Sequence, residues 1–449
     1  MECLYYDQIV RPKLNIATIV WGSDFVELGR RLAWSSLLAP QNLPAIANEF
    51  EVTMTFHTTG DDARQIRQLP EFEAIGRYAT VKINEFVPSA IGLNFATYTS
   101  VYCESLLIPI SERAMYLLFN PDCVMADGSL PYLVKCLHRS RVFMAWSGRI
   151  SSELLGDALE SFRIGPILSV PKRDLVKISL SCAHPEMVTY LVSDNLIPTR
   201  PTNLIWMSPD KASAVVRTHT LGPTAINFGL VSPRDSDSYL RNLRGSRNGG
   251  AASADEAATL KALLRDMDGV YISQDSDNFF WNGITDSRRF ADGIPWSRVS
   301  EGRLSLRNSI GAYQQLKSVN EYSRLFVTVP FVLRGSAESD WITRTVEETE
   351  LLVNSVSIVS YSQKRVARLL SADDDMGQMS ALMLLALLGR KGSLGLLRLA
   401  FRGLASPFNF AVSTKWMRGL ARHAVAQNWP GSRVLHQLSQ KILELRRRL

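Results

Sequence analysis

Two aspartates in Pro121-Asp122-Cys123-Val124-Met125-Ala126-Asp127-Gly128 follow directly on Met115-Tyr116-Leu117-Leu118-Phe119, a run so apolar that it reads as a strand covered on both faces. Carboxylates at the end of a buried strand are costly unless hydrogen-bonded or paired with a cation. A hard divalent ion, Mg²⁺ or Mn²⁺, is a natural partner when a diphosphate supplies the remaining oxygens. The same residues also suit a turn followed by a helix N-cap. A second acidic motif, Asp275-Ser276-Asp277, follows the strand-like residues 270–273, where turn or surface duty is the plainer reading. His184, in Cys182-Ala183-His184-Pro185-Glu186, and His219, at the end of another strand-like run, are candidate general bases for a hydroxyl nucleophile; each also suits an ordinary structural role. Small polar groups complete the set. In Trp21-Gly22-Ser23 the glycine permits a tight turn, and the helix that follows offers free backbone N–H groups to a phosphate or a capping side chain. His57-Thr58-Thr59-Gly60 presents donors and acceptors suited to a base or ribose.

In open parallel sheets, ligands bind beyond the carboxyl ends of the strands, so these residues need strands to deliver them. Residues 14–22 form a short β-branched run ending in glycine, and 24–38 carry Phe25, Leu28, Leu32 and Leu37 at helical spacing. Strands are expected over 51–57, 80–86, 113–120 and 141–146, with helices over 61–69, 92–107 and 130–138 between them. That alternation predicts an α/β domain over residues 13–160. Residues 161–335 read as an α+β extension, with short strands at 203–207, 214–218 and 270–273, a Gly/Ser/Arg/Asn-rich loop over 241–254 and a strand-like run over 324–333. Residues 336–449 read as helical, over 341–353, 378–404, 414–426 and 433–448.

The order of these segments resembles the nucleotide-sugar-binding half of GT-A type glycosyltransferases. The likeness rests on a strand ending in Val20-Trp21-Gly22, an apolar helix closing in Leu37-Leu38-Ala39-Pro40, a second strand running into Thr58-Thr59, and an apolar strand ending at an Asp pair. More narrowly, the chain is similar to bacterial glycosyltransferase-like proteins whose segments echo Val20-Trp21-Gly22, Pro121-Asp122 with Asp127-Gly128, and Asp275-Ser276-Asp277, over about residues 13 to 290. The resemblance implies a GT-A-like α/β fold: a mixed, mostly parallel sheet flanked by helices, with an α+β extension and an α-helical C-terminal region. It implies a nucleotide-diphosphate sugar held by Trp21, Gly22, Thr58, Thr59 and Asp122, and a divalent metal held by Asp122 and Asp127. An inverting transferase needs a base for the acceptor hydroxyl, for which Asp275, Asp277, His219 and His184 are the candidates. The family signature is Asp-x-Asp, whereas Asp122 and Asp127 stand five apart and need a turn between them to reach one ion. Asp275-Ser276-Asp277 has the literal spacing but lies about 150 residues too late. A non-catalytic protein that keeps the fold as a binding or scaffold module is the rival reading.

Composition excludes several other classes. With 449 residues, 46% apolar and 21% charged, the chain is globular rather than disordered, collagenous or coiled-coil. It has no Gly-x-Ser-x-Gly elbow, which disfavours a serine hydrolase, and no P-loop or Gly-x-Gly-x-x-Gly, which removes P-loop NTPases and typical Rossmann dehydrogenases. Net charge is +7, yet residues 376–449 alone hold twelve basic residues against Glu444. Arg390, Lys391, Arg398, Arg402, Lys415, Arg418 and Arg422 surround apolar partners that include Phe401 and Trp416, a composition suited to an anionic bilayer surface, where each charge adds about 1 kcal/mol. A merely solvated helical face is the alternative. Nucleic acid is disfavoured because no helix-turn-helix or RNP-like signature is present. Five cysteines without CxxC spacing, an N-terminus without a signal pattern, and a longest apolar run of about eleven residues against the roughly twenty a span needs lead to the expectation of a cytoplasmic protein, docking peripherally on the inner membrane face.

Overall fold

A computed structural model describes residues 11–88, 94–188, 190–191, 203–218, 221–245, 261–264, 267–286, 329–336, 340–347 and 349. The chain divides into two units, Met1–Glu347 and Glu348–Leu449, and all but one of the described residues belong to the first. His219 and the basic helices expected over 378–448 lie outside the described residues.

The strands, in chain order, are β1 (Lys13–Ile19), β2 (Glu51–Thr58), β3 (Thr80–Glu85), β4 (Met115–Leu118), β5 (Cys123–Met125), β6 (Val142–Ala145), β7 (Gly148–Ser151), β8 (Arg163–Ile164), β9 (Ile167–Leu168), β10 (Asn203–Met207), β11 (Ala214–Thr218), β12 (Ala225–Asn227), β13 (Val270–Ser273), β14 (Trp281–Thr285) and β15 (Phe331–Leu333). Seven of them make one sheet in the order β13-β6-β12-β4-β1-β2-β3. All pairings are parallel except those of β12, which runs antiparallel to both β4 and β6. This is the mixed, mostly parallel α/β sheet that the sequence implied. Two of its strands, β12 and β13, come from the stretch expected to form the extension.

Side-chain alternation explains why the strand sequences are so apolar. Leu14 and Ile16 of β1, Met115 and Leu117 of β4, and Phe143 and Ala145 of β6 enter one core, whereas Ala17, Tyr116, Val142 and Met144 enter another on the opposite face. Helices seal the first core with Val26, Trp34, Leu37, Leu133 and Leu137 and the second with Leu175 and Val176. Each fully buried Leu, Ile or Phe contributes about 1.5–3 kcal/mol, so two-sided burial is what holds β1 and β4 at the centre. Three small sheets accompany it among the described residues, β10-β11-β15, β8-β9 and β5-β14-β7, the last holding the segment that leaves β4.

Local boundaries shift for physical reasons. The expected strand over 113–120 narrows to Met115–Leu118 because Arg113 takes a left-handed conformation that ends the preceding helix Leu107–Glu112. The helix expected from residue 24 runs from Ser23 to Leu37 but includes a π-helical turn over Gly29–Trp34. Residues 241–245, expected in a loop, instead close the helix Pro233–Gly245, whose Tyr239 is buried in the second core. Among the described residues, no helix is long and apolar enough to cross a membrane.

Candidate functional site

Because β1, β2, β3, β4, β6 and β13 all run the same way, their carboxyl ends form one edge of the sheet, with β2, β1 and β4 as neighbours spaced about 4.8 Å apart. Beyond β1 the pairing continues for one residue, with the Val20 N–H donating to the His57 carbonyl at 3.0 Å, before the chain turns at Gly22. Gly22 has φ +89°, a conformation that a side chain resists. Its N–H donates to Oδ2 of Asp62 at 2.9 Å, and the Thr59 hydroxyl donates to that same oxygen at 2.7 Å. Thr59 in turn accepts from the Asp62 N–H at 3.3 Å, capping the helix Gly60–Ile66. One carboxylate, 8% exposed, therefore fastens the turn after β1 to the turn after β2.

An aromatic wall stands beside this joint. Trp21 meets Phe86 edge-on with ring centroids 5.7 Å apart, and the Phe86 N–H donates to the Thr58 carbonyl at 2.9 Å. The Thr58 hydroxyl is buried without a hydrogen-bond partner in the described structure. His57 is buried, and desolvation pushes its pKa down to about 4, so it is neutral at physiological pH.

The end of β4 delivers Asn120, Pro121 and Asp122. Tyr98 and Asn120 exchange hydrogen bonds at 3.0 and 3.1 Å, and burial lifts the Tyr98 hydroxyl to about 12. Asp122 sits in the turn beyond β4, and its carbonyl accepts from the Ile284 N–H of β14 at 2.7 Å. Desolvation raises its carboxyl pKa, opposed by its own backbone N–H and by the positive field of Arg149. The Cys123 thiol lies 3.9 Å from it, and among the described residues it makes no ion pair. Asp122 is thus a costly carboxylate that gains from a cationic partner.

Asp127 is differently employed. Strand β5, in register with β14 through Cys123–Gly283 and Met125–Trp281, separates it from Asp122. At about 3.3 Å per extended residue the two α-carbons are on the order of 15 Å apart. Oδ1 of Asp127 accepts from the Gln41 N–H and Oδ2 from the Ser169 hydroxyl, each at 2.8 Å. The pair does not fit one shared ion, because an extended strand stands where a turn was required. Among the described residues, no group of three or more His, Cys, Asp or Glu side chains could hold a metal.

Asp275 and Asp277 also stand apart from the β2-β1-β4 edge. Asp275 and Asp277 follow β13, three strand spacings, or about 14 Å, from β4. Asp275 is forked by Arg334 Nε at 2.8 and 3.1 Å, and Asp277 by Arg173 at 2.8 and 3.0 Å, which holds the Asp277 carboxyl below the usual range. The Ser276 N–H donates to the Val332 carbonyl at 2.9 Å, so the motif stitches the large sheet to β15. His184 is 1% exposed, and its Nδ1 accepts from the Glu186 N–H at 3.1 Å at the start of the short helix Pro185–Val188; burial lowers its pKa. That lone pair is not open to a substrate proton. Beside it, Glu186 takes Arg149 at 2.8 Å through one oxygen and the Tyr190 hydroxyl at 2.9 Å through the other.

The structure therefore gathers Trp21, Gly22, Thr58, Thr59 and Asp122 on one half of the sheet edge, ties Asp127, Asp275 and Asp277 to partners of their own, and buries His184 against the Arg149 carbonyl and the Glu186 N–H. Sequence reasoning passed over Asp62 and Arg149. The Thr59-x-x-Asp62 spacing, a capping pattern, is the signal that would have found the first. Nothing local marks the second.

No protein-family model matches the chain, and no curated protein matches it significantly. Solved structures do. The chain is similar to S. aureus TarS, as residues 1–349 in complex with UDP-GlcNAc (12% identity, 86% of this chain and 83% of that one, TM-score 0.32). It is also similar to the same protein in complex with UDP (14% identity, 70% of each chain, TM-score 0.31). This is a loose likeness at low identity.

Proposed function

We propose that the chain is a glycosyltransferase that binds a nucleotide-diphosphate sugar across the carboxyl ends of β2, β1 and β4 and moves the sugar to an acceptor hydroxyl. The observation that carries this reading is the joint at Asp62, which brings the Trp21-Gly22 and Thr58-Thr59 turns together beside an unpaired, desolvated Asp122. The Trp21–Phe86 wall and the Thr58 hydroxyl suit a planar base and its ribose, and Asp122 suits the diphosphate end through a cation. In the transfer, the acceptor oxygen bonds to the anomeric carbon, the bond from that carbon to the phosphate oxygen breaks, and the nucleoside diphosphate leaves. The acceptor proton passes to a base. We place the acceptor on the side of Arg149, which pairs with Glu186 and whose positive field reaches Asp122.

Isothermal titration of the full chain against UDP, GDP and their sugars, UDP-GlcNAc included, with and without Mn²⁺, tests this reading. Binding of at least one nucleotide diphosphate is expected, and silence across the whole panel would sink it. The separation of Asp122 from Asp127 favours the second reading, a binding or scaffold module that keeps the fold without turnover; tight nucleotide binding with no release of nucleoside diphosphate in the presence of any acceptor class would support it. For the +11 segment over 376–449 we propose docking on an anionic membrane surface. Flotation with phosphatidylserine vesicles checks this, and equal recovery with neutral vesicles would remove it.

A further inference from the structure

The helix that begins at the Gly22 turn is not uniform. Ser23–Leu28 is α-helical, Gly29–Trp34 is a π-helical turn, and Ser35–Leu37 returns to α. Such turns act as one-residue insertions, are rare, and concentrate at functional sites. Side chains hold this one open. The indole of Trp34 lies 2.6 Å from where a β-carbon on Gly29 would stand, so only glycine fits beneath it. The Ser35 hydroxyl donates to the Arg30 carbonyl. Across the fold, the Arg163 guanidinium at the start of β8 donates to the Arg31 carbonyl and, at 3.3 Å, to the Ser35 hydroxyl oxygen. Glu160 aims that guanidinium through a 2.6 Å bond to its Nε and also receives Arg31 at 3.2 Å. A group inserted onto the carbonyls of a helix in this way is an established cause of departure from regular α geometry.

We propose that Arg163 is a positioning residue for the donor site and acts through this turn. Without its hold, the insertion relaxes toward α-helix, and everything N-terminal to it turns by about 100° and shifts by about 1.5 Å relative to Trp34–Leu37, which the core anchors. On the other side β1 is fixed by its neighbours in the sheet. The mismatch therefore falls on Trp21, Gly22 and Ser23, where the Gly22 N–H rests on Asp62. Arg163 touches neither β1 nor Asp62 through any bond described above; it sets their alignment through the register of the helix. The inference rests on the donor-site reading given above.

The test uses the full chain with UDP as the probe and compares the wild type, Arg163→Met, Asp62→Asn and the double variant, with far-UV circular dichroism and thermal melts as checks on folding. Arg163→Met should weaken UDP binding about tenfold with its helical signal retained. The double variant should bind no more weakly than the worse single variant, because both changes act on the same turn, whereas independent sites give additive losses. Additive losses, or wild-type affinity in Arg163→Met, would overturn the proposal. Should Arg163→Met fail to fold, Ser35→Ala removes a single hydroxyl from the same network and should cost about threefold in affinity; no loss there would also overturn it. Failure of the wild-type chain to bind any nucleotide would instead defeat the donor-site reading, and this inference with it.

Discussion

The backbone N–H of Gly22 and the carboxylate of Asp62, forty residues apart in the chain, meet at 2.9 Å, and this single bond sets the distance between the two turns that open the sheet edge. The Thr59 hydroxyl completes the joint on the same oxygen at 2.7 Å. Asp62→Ala leaves both donors without that acceptor. Nucleotide diphosphate affinity should fall at least tenfold, and stability should fall by about 1–3 kcal/mol. Calorimetric titration and urea unfolding measure the two effects separately. Asp62→Asn keeps an acceptor oxygen for Gly22 and should fall between the wild type and the alanine variant.

The two aspartates read from the sequence as a metal pair should part company on substitution. Asp122→Asn should weaken nucleotide diphosphate binding, measured with Mn²⁺ present, because it removes the unpaired carboxylate beyond β4. Asp127→Asn should leave binding within about twofold while lowering the melting temperature, because both Asp127 oxygens join backbone and side-chain donors from other segments. Equal losses of binding in the two variants would contradict this assignment.

His57 gives the protein an acid-sensitive limb. Burial depresses its folded pKa to about 4 from the ordinary 6.5, so between those values the unfolded chain binds a proton that the folded chain refuses. Stability is unaffected above pH 6.5 and falls as pH drops from 6.5 toward 4, by about 3 kcal/mol in total. Urea midpoints across that window should show the slope in the wild type, and His57→Gln should flatten it.

Gly29→Ala sets two effects against each other. Helix propensity favours alanine by about 1 kcal/mol, whereas the Trp34 indole 2.6 Å from the added carbon imposes overpacking worth about 1–3 kcal/mol. Since the indole is buried and cannot swing into solvent, the steric effect should win. A lowered melting temperature is expected, and a raised one would show that the turn yields easily.

Asp277→Asn breaks a forked but partly solvated pair with Arg173. Such pairs are worth up to about 1 kcal/mol, so stability should change little and nucleotide binding not at all. A loss of sugar transfer with binding intact would instead restore the motif to a chemical role.

Much of the fold was legible in the sequence because two-sided burial writes long apolar runs. Residues 14–20 and 115–119 could hardly be anything but central strands, and their ends pointed to Gly22 and Asp122, as the end of the strand over 51–57 pointed to Thr58 and Thr59. What escaped depends on distant partners. Strand β12 has three residues, too few for any period to register. Asp127 and Asp277 look free in sequence, and only the fold supplies Gln41, Ser169 and Arg173. The π-helical turn leaves no local trace beyond a glycine five residues before a tryptophan.

The reversed strand β12 also governs when the protein can fold. Ala225 pairs with Leu117 on one side and Phe143 on the other, so β4 and β6 cannot be joined until a segment roughly a hundred residues downstream of β4 has emerged. Until then the growing chain carries two apolar strands with unpaired edges, the kind of surface on which nascent chains stick to one another. Insertion of Ala225–Asn227 is thus the event that turns two half-sheets into one. Synthesis that stalls before residue 225 should yield an aggregation-prone fragment, however complete the five strands of the large sheet that precede it are.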